Sequence, residues 1–248
     1  MFGRQNSGSS SDKRGTWSSG FGSLVLAIGV ALGIRWALVE AYVIPSGSML
    51  PTLLIQDHIF VNKLVYGIRV PWSKQWIYMR RLPERGEVIV FKFPEDESTN
   101  FIKRVIGVPG DKIGWDGQQL TINGKKVDTA ENPQKDYFMG LLSDRDLSGQ
   151  RGAYQVMEEN LNGHPHPTLI KKDASHMLID GTEVPKDALF VMGDNRDNSN
   201  DSRYWGFVPA ENILGRAMFV WLSCNDTIKG LVCDPTSIRW SRFFHYVK

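Results

Sequence analysis

The order of apolar and polar positions divides the chain into stretches of different texture. Residues 1–19 are rich in Ser and Gly, with Arg4, Asp12, Lys13 and Arg14 as their charges. Such a stretch buries too little apolar surface to offset its ordering entropy, which predicts a flexible tail. Residues 20–34 are apolar almost throughout, and Arg35-Trp36-Ala37-Leu38-Val39 carries the run on toward Ile44. A membrane-spanning helix needs about 20 residues. Residues 21–34 are too short alone, so the predicted anchor covers 20–43 and tolerates Arg35, whose side chain can snorkel to the interface. Trp36 and Tyr42 suit the headgroup zone. The alternative is a cleaved leader with Val39-Glu40-Ala41 as its cleavage site. The retained anchor is the preferred reading. The tail's three basic residues against one acidic place it in the cytoplasm and the body outside.

Beyond the span the pattern turns to β. Residues 58–64 and 87–93 are short, β-branched and bounded by Gly and Pro, which predicts strands, with Asp57 closing a turn before the first. Trp72, Trp76 and Tyr78 fit either a lipid interface or a core cluster. In 101–106 strand alternation puts Phe101, Lys103 and Val105 on one face and Ile102, Arg104 and Ile106 on the other, so that Arg104 points away from the lysine. Pro109-Gly110-Asp111 ends that strand in a turn.

Residues 117–183 read as a smaller β lobe with long loops. Asn123-Gly124, Asn162-Gly163 and Asp180-Gly181 are turn dipeptides, and hairpins are predicted over 121–127 and 178–185. His164-Pro165-His166-Pro167 reads as a solvated loop. A strand beginning at Phe190 then enters a polar loop from Gly193 to Arg203, and 217–222 is a further apolar strand. The predicted organisation is therefore a tail (1–19), an anchor (20–43), a β core in two parts (44–116 and 184–223), an inserted lobe (117–183) and a cysteine loop with a basic-aromatic tail (224–248).

Composition narrows the function. With 29 basic and 27 acidic residues, nothing suggests bulk binding of nucleic acid. Cys224 and Cys233 fit neither a zinc site nor a redox pair, and the preferred reading is a disulfide if the domain is exported. The Asp and Asn residues of 194–201 resemble a calcium loop, but Arg196 and Arg203 within the run argue against a cation. No metal and no cofactor are expected. None of the five histidines sits in a motif, which weakens any Ser-His-Asp arrangement.

The candidate chemistry lies in Pro45-Ser46-Gly47-Ser48-Met49-Leu50-Pro51-Thr52. The prolines stiffen the backbone on either side and Gly47 permits a sharp turn, so a hydroxyl is presented rigidly. Ser-Gly-Ser is also an ordinary turn composition. Lys103 reads either as an edge-strand lysine or, between Phe101 and Val105, as a desolvated base. A free amine titrates near ~10.4, and burial can bring it to the range of about 7–8 that suits a catalytic lysine.

Those segments, together with Arg85-Gly86-Glu87-Val88-Ile89-Val90-Phe91, Lys103-Arg104-Val105-Ile106-Gly107-Val108-Pro109-Gly110-Asp111 and Gly193-Asp194-Asn195-Arg196-Asp197-Asn198-Ser199-Asn200-Asp201-Ser202-Arg203, resemble in order the motifs of bacterial type I signal peptidases. The resemblance runs from the anchor to about Leu222 and is loose over the middle lobe. It implies a mainly β fold, an antiparallel β catalytic core with an inserted smaller β lobe, preceded by an N-terminal transmembrane helix. It also implies a single-pass serine endopeptidase of the bacterial plasma membrane, its catalytic domain extracytoplasmic, whose partners are signal-peptide-bearing preproteins and membrane lipid. Carried over, Ser48 matches the nucleophile and Lys103 the general base. Ser46 matches an oxyanion donor beside the Ser48 N–H, Ser199 the hydroxyl that orients the amine, and Asp201 with Arg203 a structural ion pair. Tyr42, Ile44, Phe101 and Ile102 match positions near the substrate pockets. Phe101 stands where many relatives have tyrosine, and one span is found where some have two. The competing readings are a self-cleaving repressor and a catalytically inactive, membrane-tethered β scaffold that binds preproteins or envelope partners.

Overall fold

The computed structural model describes residues 15–70, 73–172, 177–228 and 232–247. The chain divides into two units, residues 1–38 and 39–248. In the first, α1 (Gly15–Leu38) is apolar around its circumference, with Phe21, Leu24, Val25, Leu26, Ile28 and Val30 exposed. It begins inside the expected tail, whose residues 1–14 lie outside the described ones. No helix among the described residues is long and apolar enough to cross a membrane. The expected anchor is cut short at its far end, because β1 (Val39–Val43) is a strand.

The second unit is an antiparallel β structure. Its strands are β2 (Asp57–Asn62), β3 (Gly67–Arg69), β4 (Trp76–Met79), β5 (Val88–Lys92), β6 (Asn100–Gly107), β7 (Lys112–Trp115), β8 (Leu120–Ile122), β9 (Lys125–Lys126) and β10 (Asp128–Glu131). After α2 (Lys135–Leu141) come β11 (Tyr154–Leu161), β12 (His164–Lys171), β13 (Ile179–Glu183) and β14 (Ala188–Met192). Beyond α3 (Ser202–Trp205) follow β15 (Val208–Pro209), β16 (Ile213–Ser223), β17 (Thr227–Ile228), β18 (Val232–Cys233) and β19 (His245–Tyr246). The main sheet runs β1-β2-β16-β5-β6-β14-β15, with β19 also on β16. β10-β11-β12 and β13-β7-β8-β9 form two smaller sheets, and β3-β4 and β17-β18 are ribbons.

Two predicted turns appear as type I′-like corners. Asn123-Gly124 joins β8 to β9 and Asn162-Gly163 joins β11 to β12, all four residues with positive φ. The segment 178–185 is not a hairpin. β13 is a single strand on β7 with a bulge between Ile179 and Thr182, and Gly181 takes φ 60° there. His164 to Pro167 is not a solvated loop either, since these residues open β12 and His166 is 1% exposed. The four-stranded sheet draws β7 and β13 together, so it straddles the boundary expected at 116/117. α2 was not anticipated. Trp76 packs into the core beneath the Arg69 guanidinium, 4.6 Å from its ring, while Ile77 and Tyr78 are exposed; Trp72 lies outside the described residues.

Four apolar clusters hold this unit together, and two of them position the chemistry. One joins Ile44, Met49 and Leu53 to Ile59, Val88, Val90, Ile102 and Val220. Another joins Leu50 and Leu54 to Phe138, Leu142, Val156 and Leu169 of the second lobe. The serine-bearing segment is thus wedged between core and lobe. A disulfide joins Cys224 to Cys233, and the final residues return to the sheet, burying Arg242 and Val247.

Candidate active site

Ser48 sits in a 3-10 turn, Gly47–Met49, entered from an extended Ser46 and closed by Leu50 N donating to Gly47 O at 3.2 Å. Met49 and Leu50 are fully buried and anchor the turn, while the Ser48 hydroxyl faces β6. Lys103 lies in the middle of β6, between β5 and β14, and is 4% exposed. Its Nζ donates to Ser48 Oγ at 2.7 Å. Burial is the main force on this amine and lowers its pKa from 10.5 to about 8. Arg203 adds to the lowering, while the carboxylates of Asp201 and Asp194 oppose it. The Phe101 ring lies 5.3 Å from Nζ.

The polar loop after β14 bonds to itself and to both lobes. Asp201 accepts from Gly193 N at 2.9 Å and from Arg203 Nε and Nη2, each at 2.8 Å. Arg203 Nη2 also donates to Arg196 O at 2.6 Å. Arg196 forms a two-pronged ion pair with Glu159 of β11, Nη2 to Oε2 being 2.6 Å, and both side chains are fully buried. Arg104 does not point into solvent. It is fully buried on Asp194, with Nε to Oδ1 at 2.8 Å and Nη2 to Oδ2 at 2.7 Å, and Thr52 Oγ1 donates to Asp194 Oδ2 at 2.5 Å. Burial works against the Asp194 charge, but Arg104 outweighs it and holds the carboxyl below its ordinary range.

The predicted site residues fall at different distances from the chemistry. Ser48 and Lys103 meet directly, and Asp201 pairs with Arg203 beside them. Ser46 is exposed, its Oγ 3.5 Å from Ser48 Oγ. Ser199 is buried beside Gly193, yet its Oγ has no hydrogen-bond partner among the described residues, Lys103 included. Tyr42 and Ile44 pack in one cluster with Ile102, whereas Phe101 lies on the opposite face of β6 and stacks on Phe93 at 4.5 Å. His58, Cys224 and Cys233 bring potential metal-ligating atoms within 4.8 Å of one another, but both sulfurs belong to the disulfide. Sequence reasoning missed Asn195, Arg104, Asp194 and Glu159 as parts of the site's frame. For Asn195 the signal was its place in the polar loop; for Glu159 there was none.

A lysine amine that burial brings near neutrality, held against a serine hydroxyl, can take that hydroxyl's proton and so make a nucleophile. That is hydrolase chemistry without histidine. The family model described as "Signal peptidase, peptidase S26" matches residues 17–222. Signal peptidase I of Buchnera aphidicola subsp. Schizaphis graminum is 39% identical over 219 residues, covering 77% of this chain and 70% of that protein. The Pseudomonas fluorescens signal peptidase I is 40% identical over 206 residues, covering 78% and 68%. That of Rickettsia massiliae is 36% identical over 242 residues, covering 90% and 86%. A crystal structure of a signal peptidase I from Enterococcus faecalis V583 aligns with a TM-score of 0.32 at 27% identity, over 55% of this chain and 97% of that one. The chain belongs to the signal peptidase family, peptidase S26, and is a peptidase of the bacterial type I class.

Proposed function

We propose that this chain cuts N-terminal signal peptides from exported preproteins, with Ser48 as nucleophile and Lys103 as general base. The observation that carries this reading is the 2.7 Å contact between Lys103 Nζ and Ser48 Oγ at an amine that burial holds near pH 8. In its neutral form the amine takes the Ser48 proton as the hydroxyl attacks the scissile carbonyl, and returns it to the leaving amine. The Ser48 N–H precedes the first hydrogen bond of its 3-10 turn, which leaves it available to the developing oxyanion. Ser46 is close enough to lend its hydroxyl as a second donor. Ser199 is assigned as the hydroxyl that orients the amine, and the Asp201–Arg203 pair backs the site.

The exposed apolar side chains of α1 support anchorage in lipid, with the tail cytoplasmic and the β unit extracytoplasmic, and the disulfide suits an oxidising compartment. The test is cleavage of a purified preprotein in detergent by the full chain, Ser48→Ala and Lys103→Ala. Both variants are expected to fold and to be inactive. In the wild type kcat/KM is expected to rise about tenfold between pH 7 and 9, as the amine loses its proton. Activity retained by either variant sinks the pair.

Small residues before the cut suit shallow pockets walled by Ile44 and Ile102. Ile44→Ala or Ile102→Ala is then expected to raise the relative kcat/KM for larger residues there by about tenfold or more. Both side chains also serve the core, so Ile→Val versions control for loss of stability. Unchanged selectivity across a peptide panel refutes the assignment.

A further inference from the structure

Residues 194–197 run between the second lobe and the nucleophile turn and are bonded to both. Toward the lobe, Leu169 N donates to Asp194 O at 2.8 Å and Arg196 N donates to Leu169 O at 2.9 Å, a parallel bridge that sets Asn195 beside Leu169 of β12. Lys171 N donates to the Asp197 carboxylate at 2.6 Å, and Arg196 is gripped by Glu159 of β11. Toward the turn, Asn195 N donates to Ser48 O at 3.1 Å and Asn195 Nδ2 donates to Gly47 O at 3.0 Å. A carbonyl can only accept, so the amide must present its NH2 to Gly47. The cost is visible on the other side. Asn195 is 1% exposed and its Oδ1 has no hydrogen-bond partner among the described residues. A buried amide with one polar atom left unpaired loses about as much as one made hydrogen bond contributes, which leaves its side chain little net stability to supply. What it supplies is a pair of bonds to two consecutive carbonyls, which fixes the turn's rotation about its own axis. Leu50, directly after the turn, packs on Leu169 and Val156 of the same lobe.

We propose that Asn195 is the positioning residue of the nucleophile turn, and that the second lobe, through β12 and Glu159, sets where Asn195 stands. The inserted lobe is then a brace for Ser48 and not a separate binding module. The proposal rests on the reading of Ser48 as nucleophile.

The experiment compares wild type, Asn195→Leu, Asn195→Ala, Asp197→Ala and Ser48→Ala in steady-state cleavage of a signal-peptide substrate, with a melting temperature for each. Leu keeps the branched skeleton of Asn but is bulkier and lacks the donor, and Ala lacks the donor without added bulk. Asn195→Leu and Asn195→Ala are expected to lower kcat about 100-fold, the scale of a 1 Å misplacement, with KM and the pH midpoint unchanged. Asp197→Ala loosens the seam with the lobe and is expected to lower kcat about fivefold in the same way, a smaller misplacement on the same scale. A wild-type kcat for folded Asn195→Leu, beside an inactive Ser48→Ala, overturns the proposal and leaves the nucleophile standing. An active Ser48→Ala overturns both. Failure of both Asn195 variants to fold also overturns it, because the residue then serves the fold and not the turn. A wild-type kcat in Asp197→Ala removes the role of the lobe.

Discussion

Lys103→Met abolishes cleavage and raises the melting temperature measured at pH 7: that is the expected result, and both halves come from one cause. Lys103 is 4% exposed, and burial lowers its pKa from 10.5 to about 8. A gap of that size corresponds to roughly 3 kcal/mol of penalty on the charged form. The folded pKa lies below the unfolded one. Below pH 8 both states keep the proton and the folded state bears the whole penalty. Between about 8 and 10.5 the folded state has released a proton that the unfolded chain still holds, so wild-type stability climbs with pH. Methionine fills the same space without charge. It forfeits the attraction to Asp201, but Arg203 still neutralises that carboxylate. A net gain of about 1–2 kcal/mol is expected at pH 7, or roughly 2–6 °C for a body of this size, shrinking as the pH approaches 10.5. Activity should fall by at least about 10³-fold. Thermal melts at pH 7 and 10 with parallel cleavage assays decide it. A lower melting temperature at pH 7 would make Lys103 a stabilising cation, which a base near neutrality is not.

The sequence made some of this legible and hid the rest for identifiable reasons. Asn-Gly at 123–124 and 162–163 announces itself, because the primed turn needs positive φ at both positions and few residues tolerate it. Asp180-Gly181 carries the same signal and misleads, since a bulge asks for the same backbone as a hairpin. What chooses is the partner strand β7, far back in the sequence. The prolines of His164-Pro165-His166-Pro167 read as a loop, yet the segment opens a strand. β12 is the edge of its sheet, and Pro165 and Pro167 share their side with Leu169, whose N–H leaves the sheet for Asp194. On that side the missing donors cost the ladder nothing. Val39-Glu40-Ala41-Tyr42-Val43 reads as the end of the anchor because an apolar strand and the end of an apolar helix look alike without the partner β2. The Ser48 and Lys103 segments were recognisable from their motifs, but Arg104 was not placed. Alternation turned it away from Lys103, and its counterion Asp194 lies 90 residues on. Ser199, expected on the amine, stands beside Gly193, its Oγ without a hydrogen-bond partner among the described residues.

Gly193→Ala should lower cleavage by about 10²-fold or more, although the glycine touches no reacting atom. Its φ lies outside the positive range, so the constraint is space and not backbone strain. A Cβ there would stand 2.3 Å from Ser48 O, 2.3 Å from Ser199 Oγ and 2.6 Å from Ser199 Cβ. Ser199 Oγ can rotate away, although its Cβ moves only with the backbone. The Ser48 carbonyl cannot do so freely, because Asn195 N holds it at 3.1 Å and Met49 and Leu50, which follow it in the chain, are fully buried. Relief therefore means moving the turn by about an ångström, and a displacement of that size costs on the order of 10²-fold in rate. Overpacking adds roughly 1–3 kcal/mol of instability, a few degrees in the melting temperature. The expected outcome is a folded protein with kcat/KM down by at least about 10²-fold. Cleavage within a few-fold of wild type would mean that the turn carrying Ser48 can shift without harm, and then neither its tight seat nor its bonds to Asn195 bear on the reaction.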